Sequence, residues 1–479
     1  MLDSELAFAP ATAQLRLLES GEISAAELLQ LYIERIERFN PTYNLVVAFD
    51  LERARATAAD LDWRRARGEA LGPLAGLPIT IKDSFEVTGM PTTCGFEHLR
   101  DHRPERDADA VALLREAGAN VFGKTNLPAG ASDWQSFNPV YGISRNPWNP
   151  DRTVGGSSGG AAGAVAAGFT SFELGSDIGG SIRIPAHFCG VFGHKPSYGL
   201  VPVRGQIPPP PGMLHPPELG VAGPIARSAG DLALLLPVLA RPSGPLAAPR
   251  HERLEDFRIG VWMGANAYKV DRAYRDALES YIAELQRAGA SVQPVELPVD
   301  PHDSYETYLQ TLFAIVGAPA PQEADHFGRL AAADETGIAA KLARYMRTSL
   351  GEWFALAETR EHMFRAWAGY FHDYDVLLCP AVPVVAFPHM AEGSGVHSDQ
   401  LFRRVTVNGK PEPYLDFTWQ GLALVANLPA TVMPTGRLVE GLPTGLQIIG
   451  PWREDLTAIR FAELAEQAAG AFRPPPALV

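Results

Sequence analysis

The stretch from Thr153 to Pro185 constrains this chain more than any other part, because it contains two glycine-flanked serine sites. The first site is GGSSGG at 155–160 and the second is GGS at 179–181. Glycine lets other groups approach the backbone closely, so a serine framed by glycines exposes its hydroxyl beside unshielded N–H groups. Acyl transfer needs that combination of nucleophile and oxyanion site. One such cluster alone is typical of a flexible loop. Two clusters joined by a predicted small-residue helix over 161–168 indicate a serine-based active site.

The size and composition of the chain exclude several classes of protein. Its 479 residues allow two or three domains or one large enzyme core. A net charge of −14 argues against nucleic acid or an anionic membrane surface as a partner. Three separated cysteines without a CxxC pair favour neither a disulfide framework nor a zinc site. The N-terminal residues lack a signal-peptide pattern, and no apolar run of about 18 residues occurs, so we expect a soluble cytoplasmic protein.

Alternating strand and helix patterns predict an α/β fold. A short buried strand over 77–81 ends in Lys82 and Asp83, and residues 257–297 form one predicted strand–helix–strand unit. The absence of repeats and of a convincing linker favours one large α/β core. Helices are predicted over 12–39 (a pair ended by Asn40 and Pro41), 110–117, 305–317, 336–348, 351–371 and 455–469, and further strands over 119–122, 171–175, 375–380, 430–433 and 445–449.

Two long polar loops interrupt this pattern. The first, at 204–217, is rich in proline, and the second, at 386–412, is long enough to suggest a function or disorder. We expect the two loops to frame a substrate entrance, with plain surface decoration as the alternative.

One short motif is a misleading match. Residues 118–125, GANVFGKT, satisfy the phosphate-loop pattern G-x-x-x-x-G-K-[ST]. That motif needs a strand before it and a helix after it, so that N–H groups face the phosphates. Here a predicted helix comes before, Pro128 comes soon after, and the central residues are typical of a strand. The context therefore argues against ATP binding.

A second short pattern, G-x-S-x-G at 155–159, matches the nucleophile elbow of α/β-hydrolases. The elbow lies on a strand-to-helix turn, yet residues 146–154 are not typical of a buried strand. His187 and His194 lie near the second serine site, but neither has an evident carboxylate partner in the sequence. An α/β-hydrolase with Ser157 as nucleophile and a histidine base stays open at this point, although nothing points to it.

Lys82 is notable because the chain has only six lysines. A lysine at a strand end most often extends its amine to solvent. Burial would instead disfavour the charged form, and a shift of about 3 units from the ordinary pKa near 10.4 would give a base that is neutral at neutral pH.

Taken together, GGSSGGAAGAVAAG (155–168) and GSDIGGSIRIP (175–185) resemble the signature of the amidase signature family of serine hydrolases. The resemblance runs from about residue 10 to the C-terminal helix. It is supported by GLPITIKDSFEVTGMPTTCG (76–95), AGANVFGKTNLP (117–128), GHKPSYGLVP (193–202), GVAGPIARSAGDL (220–232), DVLLCP (375–380) and LPATVMPTG…GLPTGLQIIG (428–450).

This resemblance implies a fold and a division of the chain. The expected fold is α/β, a single large domain over 1–479 with a central mixed β-sheet covered by helices on both faces. A catalytic signature core is expected at about 70–235. The C-terminal part, at about 250–479, would complete the sheet and the substrate pocket.

The resemblance also implies the catalytic residues. Ser181 would be the nucleophile, Ser157 the bridging serine and Lys82 the base, with a cis peptide bond between Gly156 and Ser157. No metal and no cofactor is implied. The oxyanion site would consist of the backbone N–H groups of Ile178, Gly179, Gly180 and Ser181. Apart from the resemblance, we expect Ser158, in the substrate-binding set, and Asp177 to hold the relay in place, and Arg183 to support it by pairing with Asp177.

Two positions depart from the common pattern of the family. Ile178 stands where many members carry threonine, and His194 occupies a position that is commonly apolar. Neither belongs to the catalytic set, so we expect both to affect the shape of the substrate site.

The activity implied by the resemblance is hydrolysis of small, mostly neutral carboxylic amides, with esters and, given a suitable pocket, carbamates as further substrates. The expected partner is a small molecule, without nucleic acid or membrane, and a homodimer is left open. The alternative is the glutaminase subunit of an ATP-dependent tRNA amidotransferase, which would need partner subunits and be inert alone on synthetic amides. A catalytically silent homologue is disfavoured because Lys82, Ser157 and Ser181 are all present.

Overall fold

A computed structural model describes residues 3–265, 267–334, 336–390 and 400–479. The helices in these ranges are α1 (Asp3–Phe8), α2 (Ala11–Ser20), α3 (Ala25–Tyr43), α4 (Leu51–Ala66), α5 (Asp109–Glu116), α6 (Gly159–Ala166), α7 (Arg183–Cys189), α8 (Ala229–Leu239), α9 (Arg272–Arg287), α10 (Pro301–Gly317), α11 (Pro321–Leu330), α12 (Ile338–Tyr345), α13 (Leu350–Asp373), α14 (Thr418–Leu424) and α15 (Asp455–Ala469).

The strands alternate with these helices along the chain, as an α/β fold requires. They are β1 (Val46–Phe49), β2 (Pro78–Lys82), β3 (Asn120–Thr125), β4 (Phe137–Asn138), β5 (Gly142–Ile143), β6 (Arg145–Asn146), β7 (Asn149–Thr153), β8 (Glu173–Asp177), β9 (Phe192–Lys195), β10 (Val221–Ala226), β11 (Arg258–Val261), β12 (Ser291–Pro294), β13 (Val376–Pro380), β14 (Arg404–Val407), β15 (Lys410–Pro413), β16 (Ala430–Val439) and β17 (Leu442–Ile449).

The main sheet has eight strands in the order β12-β11-β13-β17-β16-β9-β10-β8. Strand β11 is parallel to β12 and β13, and the remaining neighbours are antiparallel. The mixed sheet is therefore confirmed, and so is the strand–helix–strand unit formed by β11, α9 and β12. Helices α6, α7, α8, α9 and α15 pack against strands of this sheet.

A second sheet, in the order β1-β3-β2, positions the predicted base. Strand β2 is parallel to β3 and lies against β8, the edge strand of the main sheet. One cluster of buried apolar side chains, including Ile81, Leu174 and Val432, extends through both sheets. Lys82 at the end of β2 is thereby brought close to the strand that leads to Ser181. The proposed boundaries at about 70–235 and 250–479 stay a prediction.

Helix α6 explains why the segment between the two serine sites is so rich in small residues. Every residue of the helix is buried. A Cβ atom on Gly160 would lie 2.4 Å from the backbone oxygen of Asn126, closer than any side chain tolerates. The tight packing predicted for this helix is present, although the helix begins two residues earlier than predicted, at Gly159.

The predicted end of the second N-terminal helix is wrong. Helix α3 continues through Asn40 and Pro41 to Tyr43. Pro41 lies in the last turn, and the helix ends where Asn44 adopts φ 51° and donates its N–H to the Asn40 oxygen at 2.7 Å. The left-handed residue thus terminates the helix, as is common for asparagine after a C-terminus.

The structure has a loop where one was predicted at 204–217, but it has a β-hairpin in the C-terminal part of the loop predicted at 386–412. Residues 204–217 contain neither helix nor strand, and Leu214 is 76% exposed there. Of the predicted loop 386–412, residues 391–399 lie outside the described residues. Its C-terminal part is a hairpin, because Asn408 and Gly409 both have positive φ and form a tight turn between β14 and β15. The expectation that the loops frame a substrate entrance stays a prediction.

Within the described ranges, no helix has the length and apolar character needed to cross a membrane.

Candidate active site

The side chain of Lys82 ends among three serine hydroxyls. All five residues of β2 are buried, and Lys82 is 0% exposed. Its Nζ atom donates to the Oγ atoms of Ser157 at 2.7 Å, Ser158 at 3.0 Å and Ser176 at 3.0 Å. Lys82 and the first serine site, predicted from separate motifs, therefore meet. Ser176 was missed by sequence reasoning, although it lies within the GSDIGGS segment.

The environment of Lys82 weakens its positive charge. Burial lowers the pKa of the Lys82 amine to about 7, against the weaker opposing effects of Cys94, Asp177 and Glu173. An amine with that pKa is neutral for a substantial fraction of molecules at neutral pH. A neutral amine carries the lone pair that a general base needs.

Backbone contacts join the two serine sites. The Ser158 N–H donates to the backbone oxygen of Ser181 at 3.0 Å, and the Ser176 N–H donates to the Ser158 hydroxyl at 3.2 Å. The peptide bond between Gly156 and Ser157 is cis, the geometry that the resemblance implied. Ser157 is 1% exposed and Ser181 is 8% exposed, so the outer serine of the pair is Ser181.

A buried ion pair holds the turn that carries Ser181. The turn lies between the end of β8 at Asp177 and the start of α7 at Arg183. Arg183 donates from Nε and Nη2 to the two carboxylate oxygens of Asp177, each at 3.0 Å. Burial alone would raise the pKa of Asp177, but the guanidinium and the hydrogen bonds lower it. The expected pair of Asp177 and Arg183 is thus present as an ionised pair.

The same carboxylate also engages backbone amides of the turn. Gly180, at φ +95°, donates its N–H to Asp177 Oδ1 at 2.9 Å, and Ile182 donates to Oδ2 at 3.1 Å. The Gly180 N–H is therefore occupied and is not available to a substrate oxygen. Among the described residues, no protein acceptor is found for the N–H groups of Ile178, Gly179 and Ser181.

Aromatic side chains lie beside the turn at Ile178 and Gly179. Tyr308 donates its hydroxyl hydrogen to the Ile178 oxygen at 2.9 Å. A Cβ atom on Gly179 would lie 3.2 Å from the ring of Phe417. Phe417 in turn packs edge-to-face with Trp134 at 5.4 Å between centroids. These three rings were missed by sequence reasoning, because they come from distant segments without a shared motif.

The histidines near the second serine site have other roles. The Nδ1 atom of His187 accepts from the Gly445 N–H at 2.7 Å and its Nε2 lies 3.1 Å from the Val384 oxygen, while burial lowers its pKa to about 4. His194 contacts the Asp455 carboxylate at 3.1 Å. Within the described part of the chain, no histidine forms a hydrogen bond with Ser157 or Ser181.

The phosphate-loop match lies in a strand. Most of GANVFGKT forms β3, so its N–H groups belong to a sheet rather than to an open loop. Lys124 is fully buried, forms an ion pair with Asp83 at 3.1 Å and donates to the Phe85 oxygen at 2.8 Å. The lysine of the pattern is thus engaged in the interior, in agreement with the argument from sequence context.

The family profile, a related sequence and two solved structures that match this chain concern amidases or amidotransferase A subunits. The sequence profile of the family described as Amidase matches residues 27–458. The A subunit of glutamyl-tRNA(Gln) amidotransferase from Synechococcus sp. (strain CC9605) is 32% identical, with 96% of this chain and 97% of that protein covered. Among solved structures, a bacterial aryl acylamidase of the amidase signature enzymes superposes with a TM-score of 0.81 at 27% identity, covering 97% of this chain and 96% of the other. The A subunit of glutamyl-tRNA(Gln) amidotransferase from Thermotoga maritima superposes with a TM-score of 0.74 at 27% identity, covering 94% of each chain.

Proposed function

This chain belongs to the amidase signature family, and we propose that it cleaves small, mostly neutral carboxylic amides through an acyl-enzyme on Ser181. One observation carries the proposal. The buried Lys82 amine contacts the Ser157 hydroxyl at 2.7 Å, and the neighbouring Ser158 is bonded to the backbone of Ser181. These contacts support a relay in which Lys82 is the base, Ser157 the bridging hydroxyl and Ser181 the glycine-framed nucleophile.

Acylation moves two protons inward. The Ser181 Oγ attacks the carbonyl carbon of the amide while its proton passes to the Ser157 Oγ. The proton of Ser157 passes at the same time to the neutral Nζ of Lys82. The N–H groups of Ile178, Gly179 and Ser181 are the candidate donors to the resulting oxyanion. Each such donor is worth on the order of 10²–10³ in rate.

The relay then runs in the opposite direction. The proton on Lys82 returns through Ser157 to the nitrogen of the leaving group, the carbon–nitrogen bond breaks and the amine departs. Water next attacks the acyl carbon and gives its proton to the relay. When the ester bond to the Ser181 Oγ breaks, that oxygen recovers its proton and the enzyme is restored.

The side chains around the turn are better suited to a neutral substrate than to a charged one. Tyr308 and Phe417 lie beside Ile178 and Gly179, and Trp134 packs on Phe417. Apolar and aromatic walls favour uncharged groups, because a charged group loses its hydration there without gaining a partner. Esters and carbamates of similar shape present the same carbonyl group to Ser181, so the proposal includes esterase and urethanase activity.

A substrate panel tests the proposal. The purified chain is assayed on anilides, short aliphatic amides, p-nitrophenyl esters and aryl carbamates, in parallel with Ser181→Ala and Lys82→Ala. We expect turnover of at least one neutral amide by the unmodified chain and loss of it in both variants. Unchanged turnover in Ser181→Ala would contradict the proposal. Full activity after treatment with EDTA is expected, since no step uses a metal.

A second candidate function is favoured by the curated relatives. The Synechococcus amidotransferase protein quoted above matches nearly the whole chain at 32% identity, so this chain can also be proposed as a glutaminase subunit of such an enzyme. The acyl-enzyme on Ser181 would then form from glutamine, and partner subunits would be required.

One comparison separates the two candidates. The chain alone and the chain mixed with the partner subunits of its own host are assayed for release of ammonia from glutamine and for cleavage of the synthetic panel. Efficient cleavage of anilides by the chain alone favours the small-amide enzyme. If the chain by itself is inactive and glutaminase activity appears only in the mixture, the amidotransferase role is favoured.

A further inference from the structure

Glu173 places a buried carboxyl group next to Lys82 that the relay described above does not use. Glu173 is the first residue of β8 and is 1% exposed. The Thr125 hydroxyl donates to its Oε1 at 2.8 Å, and the Leu174 N–H donates to its Oε2 at 2.8 Å. Thr125 is also the residue of β3 that pairs with Lys82 of β2, so one hydrogen bond links Glu173 to the strand position beside Lys82.

These contacts suit the ionised form of Glu173. Both oxygens accept hydrogen bonds, Oε1 from the Thr125 hydroxyl and Oε2 from the Leu174 N–H. Burial raises the pKa of Glu173 to about 7, so the negative charge is held at a cost. Among the described residues, no cation forms an ion pair with Glu173. A buried carboxylate without a cationic partner is rare in proteins and is commonly functional.

Of the two lysines near Glu173, Lys82 is the one whose positive charge no other carboxylate stabilises by direct contact. Lys82 and Lys124 both lie within electrostatic reach of the carboxyl group. Lys124 already has its own partner, Asp83, at 3.1 Å. Lys82 has only hydroxyl partners, so it has no carboxylate in direct contact.

The other acidic groups near Lys82 are not available to stabilise its ammonium form. Asp177 is paired with Arg183 at 3.0 Å and accepts three backbone N–H groups besides. Cys94 is buried, and burial raises the pKa of its thiol, which keeps it uncharged. Glu173 is thus the remaining acidic group near the amine.

We propose that Glu173 is a positioning residue for catalysis, whose carboxylate stabilises the ammonium form of Lys82 that arises when Ser157 gives up its proton. The inference rests on the proposed relay of Ser181, Ser157 and Lys82. During acylation the proton of Ser181 passes to Ser157 and the proton of Ser157 passes to Lys82, so that one O–H bond re-forms on Ser157, one N–H bond forms on Lys82, and a positive charge appears where water is excluded. Glu173 exchanges no proton. In its ionised form it supplies a charge of opposite sign at a position that is set before the reaction.

The pH profile of kcat/KM for Glu173→Gln tests this inference. The glutamine keeps the shape and removes the charge, so protonated Lys82 loses stability and its pKa falls. We expect the acidic limb of the profile to move about 1 unit to lower pH. We also expect the plateau to fall about 10-fold, because the amine becomes a weaker base. A role in packing alone would lower the melting temperature without moving the limb.

Glu466→Gln is the matched control. Glu466 is a half-buried carboxyl on α15 whose pKa burial also raises to about 7, and it accepts from the Ala229 N–H at 3.1 Å. It has no contact with the three catalytic residues. Neither the acidic limb nor the plateau should change in this variant.

Thr125→Val keeps the inference testable if Glu173→Gln does not fold. This variant removes the hydroxyl that donates to Glu173 at 2.8 Å, so the carboxyl becomes harder to ionise. The acidic limb of the kcat/KM profile should again move to lower pH, by less than in Glu173→Gln. An acidic limb at its original position in the folded variants overturns the inference. Retained turnover in Ser181→Ala would instead overturn the proposed function, so the two failures are distinguishable.

Discussion

The Lys82 Nζ lies 2.7 Å from the Ser157 Oγ, in a site where the two residues are 0% and 1% exposed. An ammonium group in such a place has lost its hydration and gains only hydroxyl partners. Burial therefore lowers the pKa of the amine to about 7. The proposed chemistry follows from this one contact, because a neutral amine can accept the proton of a hydroxyl that a charged one cannot.

Activity is predicted to depend on pH through Lys82. The folded-state pKa is lowered to about 7, so the neutral, active form is lost as the pH falls below that value. For a neutral anilide, kcat/KM should fall about 10-fold per unit on the acidic side and level off above about pH 8. The measurement is a pH–rate profile on a substrate that does not titrate. A flat profile between about pH 5 and pH 8 would contradict the account.

Lys82→Met should abolish activity without destabilising the protein. Methionine fills a similar volume without a lone pair on nitrogen, and kcat should fall by about 10³ or more. Replacing a buried amine by an apolar side chain is expected to leave the melting temperature unchanged or raised. Kinetics and thermal unfolding are measured on the same preparation, with the exposed Lys410→Met as the control. Residual activity near that of Lys410→Met would show that Lys82 is not the base.

Asp177→Asn should affect both stability and rate. The variant leaves the Arg183 guanidinium buried without a carboxylate and loosens the amides of Gly180 and Ile182. Loss of one partner of a buried pair costs about 3–5 kcal/mol, and kcat should fall about 10²-fold because the oxyanion donors lose their alignment. Asp325→Asn breaks the exposed pair with Arg347 and should cost no more than about 1 kcal/mol. Equal changes in unfolding free energy for both variants would contradict this prediction.

Phe417→Ala should change substrate preference more than chemistry. Its ring approaches Gly179 and packs on Trp134, so its removal takes away apolar surface that an aryl group would contact. The KM for anilides should rise about 10-fold, with a much smaller change for short aliphatic amides. Phe402→Ala, at a ring that is 48% exposed, is the control. A uniform rise in KM across the panel would show that Phe417 does not contact the aryl group.

The sequence predicted the part of the site that local motifs carry. Glycines around Ser157 and Ser181, and the apolar strand before Lys82, each have a direct physical reason to be where they are. The mixed sheet followed from strand and helix patterns together with the family resemblance. The occupied N–H of Gly180 could not be foreseen, because it depends on a positive φ that brings the amide to the Asp177 carboxylate.

The parts that sequence reasoning missed depend on distant contacts. Tyr308 reaches the Ile178 oxygen across 130 residues, and Glu173 meets Thr125 across 48 residues. No periodicity reports such pairs, since they form only when separate elements pack together. A local signal was missed as well: Asn408 followed by Gly409 is a strong hairpin signal. It was overlooked within a segment that is otherwise polar and long.

The most direct test of the central claim is to map the covalent intermediate. The chain is treated with an aryl carbamate or an activated ester that deacylates slowly, and the modified peptide is identified by mass spectrometry. The account predicts one acyl group per chain on Ser181, no adduct in Ser181→Ala, and adduct formation slowed by about 10³ in Ser157→Ala. An adduct on Ser157 or on any other residue, or one that persists in Ser181→Ala, would contradict it.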